Sequence, residues 1–249
     1  MKHSGPHPLW QERTIQLLGE EKFRRLQGAN VLVLGMGGVG SMAAEMICRS
    51  GVGMMTIVDG DRIQPGNINR QIPATHRSLN QDKAVVMGER LKDINPGLEL
   101  TVINEFIKED RIPEILQTPF DYVLDAIDTL SPKIYLIYHT VKAGLKLASS
   151  MGSGGKVDPS QIRISDFADT YNCRLAYILR KKLRKLDVHG GFQVVFSTEQ
   201  VPKEMIIPVE GEPNKKSTVG TNSYIPAIFG CTLASIVLRD LVEEPLKRG

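Results

Sequence analysis

The sequence predicts an α/β protein built on a doubly wound, mostly parallel sheet with helices on both faces, in a single domain spanning all 249 residues. Three observations carry this. From residue 30 to residue 151, short apolar runs of strand length alternate with amphipathic segments of helical spacing, an alternation that builds a parallel sheet. The first run, NVLVLG, passes straight into a glycine turn, GMGGVG. The second, MMTIVD, ends on Asp59, nineteen residues beyond Gly40, the last glycine of that turn. Together these are the parts of a Rossmann-like βαβ unit that binds a nucleotide.

Residues 1–29 read as an N-terminal helical segment, with 12–27 spaced as one amphipathic helix turning Ile15, Leu18 and Leu26 inward. A nucleotide-binding core follows over 30–151. NVLVLG (30–35) is continuously apolar, as a central strand buried on both faces must be. GMGGVGSMAAEMICRSG enters a helix that closes at Gly51, and MMTIVD (54–59) is the second strand. QDKAVVMGERLKDINPG keeps helical spacing through Val85, Met87 and Leu91 and stops at Asn95-Pro96. LELTVIN, DYVLDAID (121–128) and KLASSM (146–151) supply the third to fifth strands. After Gly155 the rhythm changes, and 152–249 reads as a C-terminal extension of the same sheet. It comprises an extended segment with a turn at Asp158-Pro159, a basic helix, the strand FQVVFST, a polar, mobile loop over 202–222 and a hydrophobic final helix.

Composition is that of a soluble globular enzyme, 41% hydrophobic and 24% charged. The net charge of +3 is too mild to announce nucleic-acid binding unless the cations are clustered. Three widely spaced cysteines, Cys48, Cys173 and Cys231, form no CxxC pair and no disulfide framework, which fits a reducing cytoplasm. The first thirty residues lack the apolar core of a signal peptide. YIPAIFGCTLASIVLRDLVEE is broken by Thr232, Ser235 and Arg239 and reads as a buried helix, so no membrane is expected.

In the glycine turn, Gly35, Gly37, Gly38 and Gly40 let the backbone approach a phosphate closely, and the helix that follows offers free N–H donors and a positive dipole end. Tight packing alone is the plainer reason for such glycines, but the strand, the helix and the downstream acid are all in place. Asp59 suits ribose hydroxyls. Ribose and phosphate together fit NAD as well as ATP. The polar stretch NINRQIPATHRSLNQDK (67–83), with Asn67, Asn69, Arg70, Arg77 and Lys83, separates the two. A dinucleotide reductase has no use for cations beyond the acidic strand. An enzyme that splits ATP at its α-phosphate must neutralise the leaving pyrophosphate with fixed cations and Mg²⁺. DAIDT places Asp125 and Asp128 at a strand end, where a carboxylate can hold Mg²⁺. Solvated charge would account for Arg70 or Lys83 singly, and a helix cap for Asp128, but less readily for all three.

GMGGVGS, DGDRIQPGNINRQ, Lys83 within QDKA, and DAIDT resemble the adenylating superfamily of ubiquitin-activating enzymes and the bacterial ThiF and MoeB proteins. NINRQ, SSMGSGGKVDPSQIRISDF, ERTIQLLGEE and the lack of CxxC pairs resemble its branch of tRNA threonylcarbamoyladenosine dehydratases. The resemblance runs from about residue 12 to 243. It implies that Asp59 binds the ATP ribose with Asp61 beside it, that Asn67, Arg70 and Lys83 contact the phosphates, and that Asp128 holds Mg²⁺. It also implies that Arg13 reaches into a partner subunit's site, hence a homodimer. The implied reaction is adenylation of the threonyl carboxylate on a modified adenosine in tRNA, then ring closure with loss of AMP. The alternatives are adenylation of the Gly-Gly terminus of a ubiquitin-like sulfur-carrier protein, with that carrier or a sulfur relay as partner, and a NAD-dependent reductase.

Among the thiols, Cys231 reads as buried and structural, while Cys173, heading the basic helix, is the candidate for a transfer thiol, although no neighbouring base is identifiable. The five histidines show no ligand spacing. Arg174, Arg180, Lys181, Lys182, Arg184 and Lys185 place six cations in twelve residues, with Leu175, Ile178, Leu179, Leu183 and Leu186 facing inward. A solvated face is the common reason for such a run; with the resemblance, it reads as a phosphate-tracking RNA patch, to which Lys215 and Lys216 add.

Overall fold

In the computed structural model, which describes residues 7–202, 205–208 and 217–243, the apolar run at residue 30 is the central strand β1 (Asn30–Leu34). It pairs in parallel with β2 (Met54–Val58) on one side and β4 (Tyr122–Asp125) on the other. With β3 (Glu99–Ile103), β5 (Leu147–Ser150), β6 (Ile162–Asp166) and β7 (Gln193–Ser197) they form a seven-stranded sheet ordered β3-β2-β1-β4-β5-β7-β6. Only β6 runs antiparallel to its neighbour. The sheet is therefore doubly wound and mostly parallel, and its last two strands extend it as expected. The strand order reverses between β1 and β4, and in open α/β sheets ligands bind at such a point, outside the carboxyl ends of the strands.

Alternate side chains of β1 enter different cores. Val31 and Val33 join Ala43, Ile47, Phe229 and Leu233 on one face; Leu32 and Leu34 join Leu136, Ile137 and Leu179 on the other. The first face is covered by α3 (Gly40–Arg49), α4 (Lys83–Ile94) and α8 (Tyr224–Leu241). The second is covered by α5 (Arg111–Ile115), α6 (Leu130–Lys142) and α7 (Arg174–Leu183). Each strand side chain so buried is worth about 1.5–3 kcal/mol, which is why the run is apolar without alternation.

Three expectations are corrected. Residues 12–27 are not one helix but two, α1 (Glu12–Leu18) and α2 (Glu20–Gly28), because Gly19 between them takes φ 81°. Phe23 and Leu26 are fully buried, whereas Ile15 and Leu18 are only partly covered. The stretch 202–222 is not all loop, since β8 (Ile206–Pro208) and β9 (Ser217–Val219) pair antiparallel outside the main sheet. Lys215 and Lys216 lie outside the described residues. Cys231 is exposed, not buried: α8 turns Ile225, Phe229, Leu233 and Val237 inward, and position 231 falls on the opposite side. By length and composition α8 is apolar enough to cross a membrane, yet here it packs along α3 as a core helix. Gly230 makes that packing possible, since a Cβ there would lie 2.4 Å from the Val39 carbonyl oxygen.

Candidate active site

The glycine turn follows β1 at the point where the strand order reverses, and its four glycines are there for different reasons. Gly35 takes φ 91°, and a Cβ on it would lie 2.7 Å from the Ala126 oxygen at the end of β4. One on Gly40 would lie 1.7 Å from the Gly35 oxygen. One on Gly38 would press on Pro226 and on the Arg70 backbone, at 3.0 and 3.1 Å. Gly35 and Gly40 are required by the chain's own packing, and a side chain on Gly38 would be tight. Gly37 is under no such constraint: the nearest atom to its absent Cβ is Gln71 Nε2 at 3.9 Å, so the space above it is left for something else. α3 begins just beyond, with no side chain capping its first turn, so its free N–H groups and positive dipole end face that space. Gly37→Ala is accordingly expected to leave the unfolding temperature unchanged while weakening ATP binding about tenfold. Gly40→Ala should instead destabilise the empty protein; melting curves with and without ATP separate the two.

Asp59 follows β2 directly. Its Oδ2 accepts from the Met36 N–H at 2.6 Å and its Oδ1 from the Asp61 N–H at 2.8 Å, which fixes the carboxyl at the mouth of the turn. Burial raises its pKa above the ordinary aspartate value, and the nearby Lys83 ammonium offsets part of that. Lys83, the first residue of α4, is buried and donates to Asp61 Oδ2 at 2.7 Å. One of its three ammonium protons is thereby committed, and two remain. Asn67 uses its Oδ1 to accept from the Gln64 N–H at 2.9 Å, capping the single 3₁₀ turn at Pro65–Asn67, so its amide NH₂ is the group left for a ligand.

Arg70 lies over Gly38. Among the described residues its guanidinium bonds only to neutral oxygens, Gly66 O and Asn69 Oδ1, both at 2.7 Å. A half-buried cation with no carboxylate beside it is a standing demand for an anion. Asn69 holds the loop in place by donating to the Thr221 oxygen at 2.9 Å, just ahead of α8.

At the end of β4 the two acids of DAIDT have separate tasks. Asp125 is fully buried: its Oδ2 pairs with Lys133 Nζ at 2.7 Å and accepts from Ser149 Oγ at 2.6 Å, and its Oδ1 accepts from the Ile127 N–H at 3.1 Å. Lys133, equally buried on α6, also donates to the Ile127 oxygen at 3.0 Å. This cluster clamps the turn that carries Asp128. Asp128 itself is exposed and has no partner among the described residues, which leaves it free for a hard cation. No group of three or more His, Cys, Asp or Glu side chains able to hold a metal occurs among the described residues. One carboxylate completed by phosphate oxygens and water is the usual way Mg²⁺ is held beside a nucleotide, and Asp128 fits it.

A match to the ThiF family description extends over residues 11–248. The chain belongs to the ThiF family. Relatives of this ThiF-family protein include the tRNA threonylcarbamoyladenosine dehydratase of Bacillus subtilis (strain 168), 36% identical over 234 residues, covering 91% of this chain and 92% of that one. The enzyme of the same name from Escherichia coli (strain K12) is 34% identical over 260 residues, covering 96% and 97%. The E. coli TcdA crystal structure in complex with ATP superposes with a TM-score of 0.85 at 33% identity, over 94% of each chain. The fold, down to the C-terminal extension, is shared.

Other residues singled out in this ThiF-family chain are placed less simply. Arg13 is exposed on α1, away from the glycine turn. The segment before it packs at Gly51, where a Cβ would lie 3.4 Å from the Gln11 amide, beyond the far end of α3. Ten residues of helix, about 15 Å, separate that end from the phosphate-facing one. Cys173 is buried at the start of α7, its sulfur 4.0 Å from the position of a Gly152 Cβ and near the buried Lys156 ammonium, whose pKa burial lowers. Arg174, Lys181, Lys182, Arg184 and Lys185 are exposed, while Arg180 folds back to donate to Thr170 Oγ1. Sequence reasoning missed Lys133 and Ser149. Lys133 had a signal: it shares the 3–4 spacing of Leu136, Ile137 and Thr140, the buried stripe of α6, where a lysine needs a buried acid.

Proposed function

We propose that this protein is an ATP-dependent tRNA threonylcarbamoyladenosine dehydratase. The observation that carries the reading is Arg70, which lies over Gly38 and meets no carboxylate among the described residues, with Asp59 at the neighbouring strand end, in a chain aligned along nearly its whole length with dehydratases of that name. Asp59 accepts from the ribose hydroxyls, and the α3 amino end, Asn67, Arg70 and Lys83 receive the phosphates. The threonyl carboxylate is ionised at pH 7, with an ordinary pKa of about 4, so it attacks the α-phosphorus without a general base. Pyrophosphate departs against Arg70 and Lys83. A nucleophile within the same modified side chain then attacks the acyl carbon, closes a ring and expels AMP. Asp128 would hold Mg²⁺, which when bound adds positive charge beside the leaving pyrophosphate.

We infer a homodimer in which a second copy supplies Arg13. Leu9, Trp10 and Leu17 surround Arg13 with an exposed apolar stripe, Leu17 being 83% exposed, and such a stripe fits docking onto another chain. Within one chain Arg13 belongs to the far edge. The cations of α7 and the turn after it, with exposed Tyr171 and Tyr177 among them, make the tRNA contact, and the substrate places the enzyme in the cytoplasm. Replacing Lys181, Lys182, Arg184 and Lys185 by alanine should flatten the salt dependence of tRNA binding by about 0.7–0.9 in log–log slope for each phosphate no longer neutralised. An unchanged slope removes this face from the interface.

The test of the whole reading is ATP–pyrophosphate exchange with tRNA bearing threonylcarbamoyladenosine against the same tRNA without it. Exchange with the modified tRNA alone supports the proposal. Exchange only with a carrier protein ending in Gly-Gly would instead assign the chain to sulfur-carrier activation.

A further inference from the structure

Gln71 has no role in the chemistry above, yet it is the side chain nearest the open space at Gly37. It is only 8% exposed. Its backbone is fully used, the N–H donating to Asn67 O and the carbonyl accepting from the Ala74 N–H, both at 3.0 Å. Its carboxamide is not. Oε1 is buried without any hydrogen-bond partner, and Nε2 points to within 3.9 Å of where a Cβ on Gly37 would stand. A buried amide oxygen without a donor is costly, and native folds retain few of them. Among the described residues two other side-chain atoms share this condition, Gln11 Oε1 and Thr140 Oγ1, and neither belongs to the cleft.

We propose that Gln71 is a nucleotide-contacting residue, its carboxamide donating to the phosphate lodged over Gly37. The last torsion of a glutamine side chain is broad, and no hydrogen bond to Oε1 has to break, so the amide turns toward a phosphate oxygen at little cost. Its backbone neighbours hold it there: Arg70 roofs Gly38, and Asn69 ties the loop to Thr221. Arg70 supplies charge and Gln71 supplies direction. A neutral donor against a phosphate oxygen orients it without adding to the electrostatic hold on the leaving pyrophosphate. This inference rests on the reading of the glycine turn as an ATP site.

The test uses the full chain with Gln71→Leu and Gln71→Glu, measuring binding of ATP, AMP and adenosine together with the unfolding temperature of the ligand-free protein. Leucine fills the same volume and removes the unpartnered oxygen. Gln71→Leu is therefore expected to melt at the same or a higher temperature when empty, while binding ATP and AMP about tenfold more weakly and adenosine unchanged. Glutamate sets a negative charge against the phosphate, so Gln71→Glu should bind ATP more weakly still, again with adenosine unaffected. Either variant binding ATP as the wild type does overturns the proposal. So does Gln71→Leu melting lower with its adenosine binding reduced equally, since the amide would then be a structural support. If the wild-type protein itself fails to bind ATP, the ATP reading falls first, and that result is distinct.

Discussion

Arg70→Ala and Asp128→Ala are each expected to abolish ATP–pyrophosphate exchange, by about 10²–10³-fold or more, in a protein that still folds. The size follows from what each group faces. Among the described residues Arg70 is a cation over the glycine turn without a carboxylate partner, so its charge is directed at whatever enters and acts most where charge develops on the departing pyrophosphate. Stability is spared because its two bonds go to neutral oxygens of its own loop, each worth about 0.5–1.5 kcal/mol. Asp128 has no partner to lose among the described residues, so its replacement should shift stability by no more than about 0.5 kcal/mol. Arg70→Lys is the informative control. A point charge retains part of the attraction but loses the planar fork, so exchange should recover only in part. Near-normal exchange in either alanine variant, at an unchanged melting temperature, would mean that the site has been assigned to the wrong residues.

Lys133→Ala should do the opposite, unfolding the protein more than it disturbs any ligand. It leaves the fully buried Asp125 carboxylate without its cation, and breaking a buried pair from one side costs about 3–5 kcal/mol. For a domain of this size that lowers the melting temperature by on the order of 10 °C. Adding Asp125→Asn removes the stranded charge while keeping an acceptor for the Ile127 N–H, so the double variant should be more stable than Lys133→Ala alone. A loss in the double variant equal to the sum of the two single losses would show that the pair is not coupled. Exchange should fall as well, because Lys133 also holds the Ile127 oxygen in the turn that presents Asp128. Here stability and activity are joined through one backbone carbonyl.

Much of the candidate site could be proposed along the chain because its parts are local. A glycine turn between an apolar strand and a helix, an acid at the next strand end, and a polar loop after it are all read within a few dozen residues. The strand runs were legible for the same reason: residues buried on both faces carry an apolar pattern that needs no partner to be recognised. Boundaries were less secure. Gly19 divides the first helix because a positive φ ends it, and the spacing of Ile15, Leu18 and Leu26 carries no trace of that break.

What the sequence by itself determined is the chemistry on offer: a turn able to cradle phosphate, carboxylates at strand ends, and cations placed after an acidic strand. The tertiary structure decided which groups are free and which are already engaged. Asp125 and Asp128 stand three residues apart in similar surroundings, and only the packing of α6 against β4 commits the first to Lys133 and leaves the second exposed. Lys83 and Arg70 look alike as cations, yet one meets Asp61 and the other, among the described residues, meets no acid. Cys231 sits in the most apolar helix among the described residues and still faces outward. Such differences depend on interactions between residues distant in sequence, and on burial that makes an unpaired charge costly. Periodicity records which face of an element turns inward; it does not record what that face will meet.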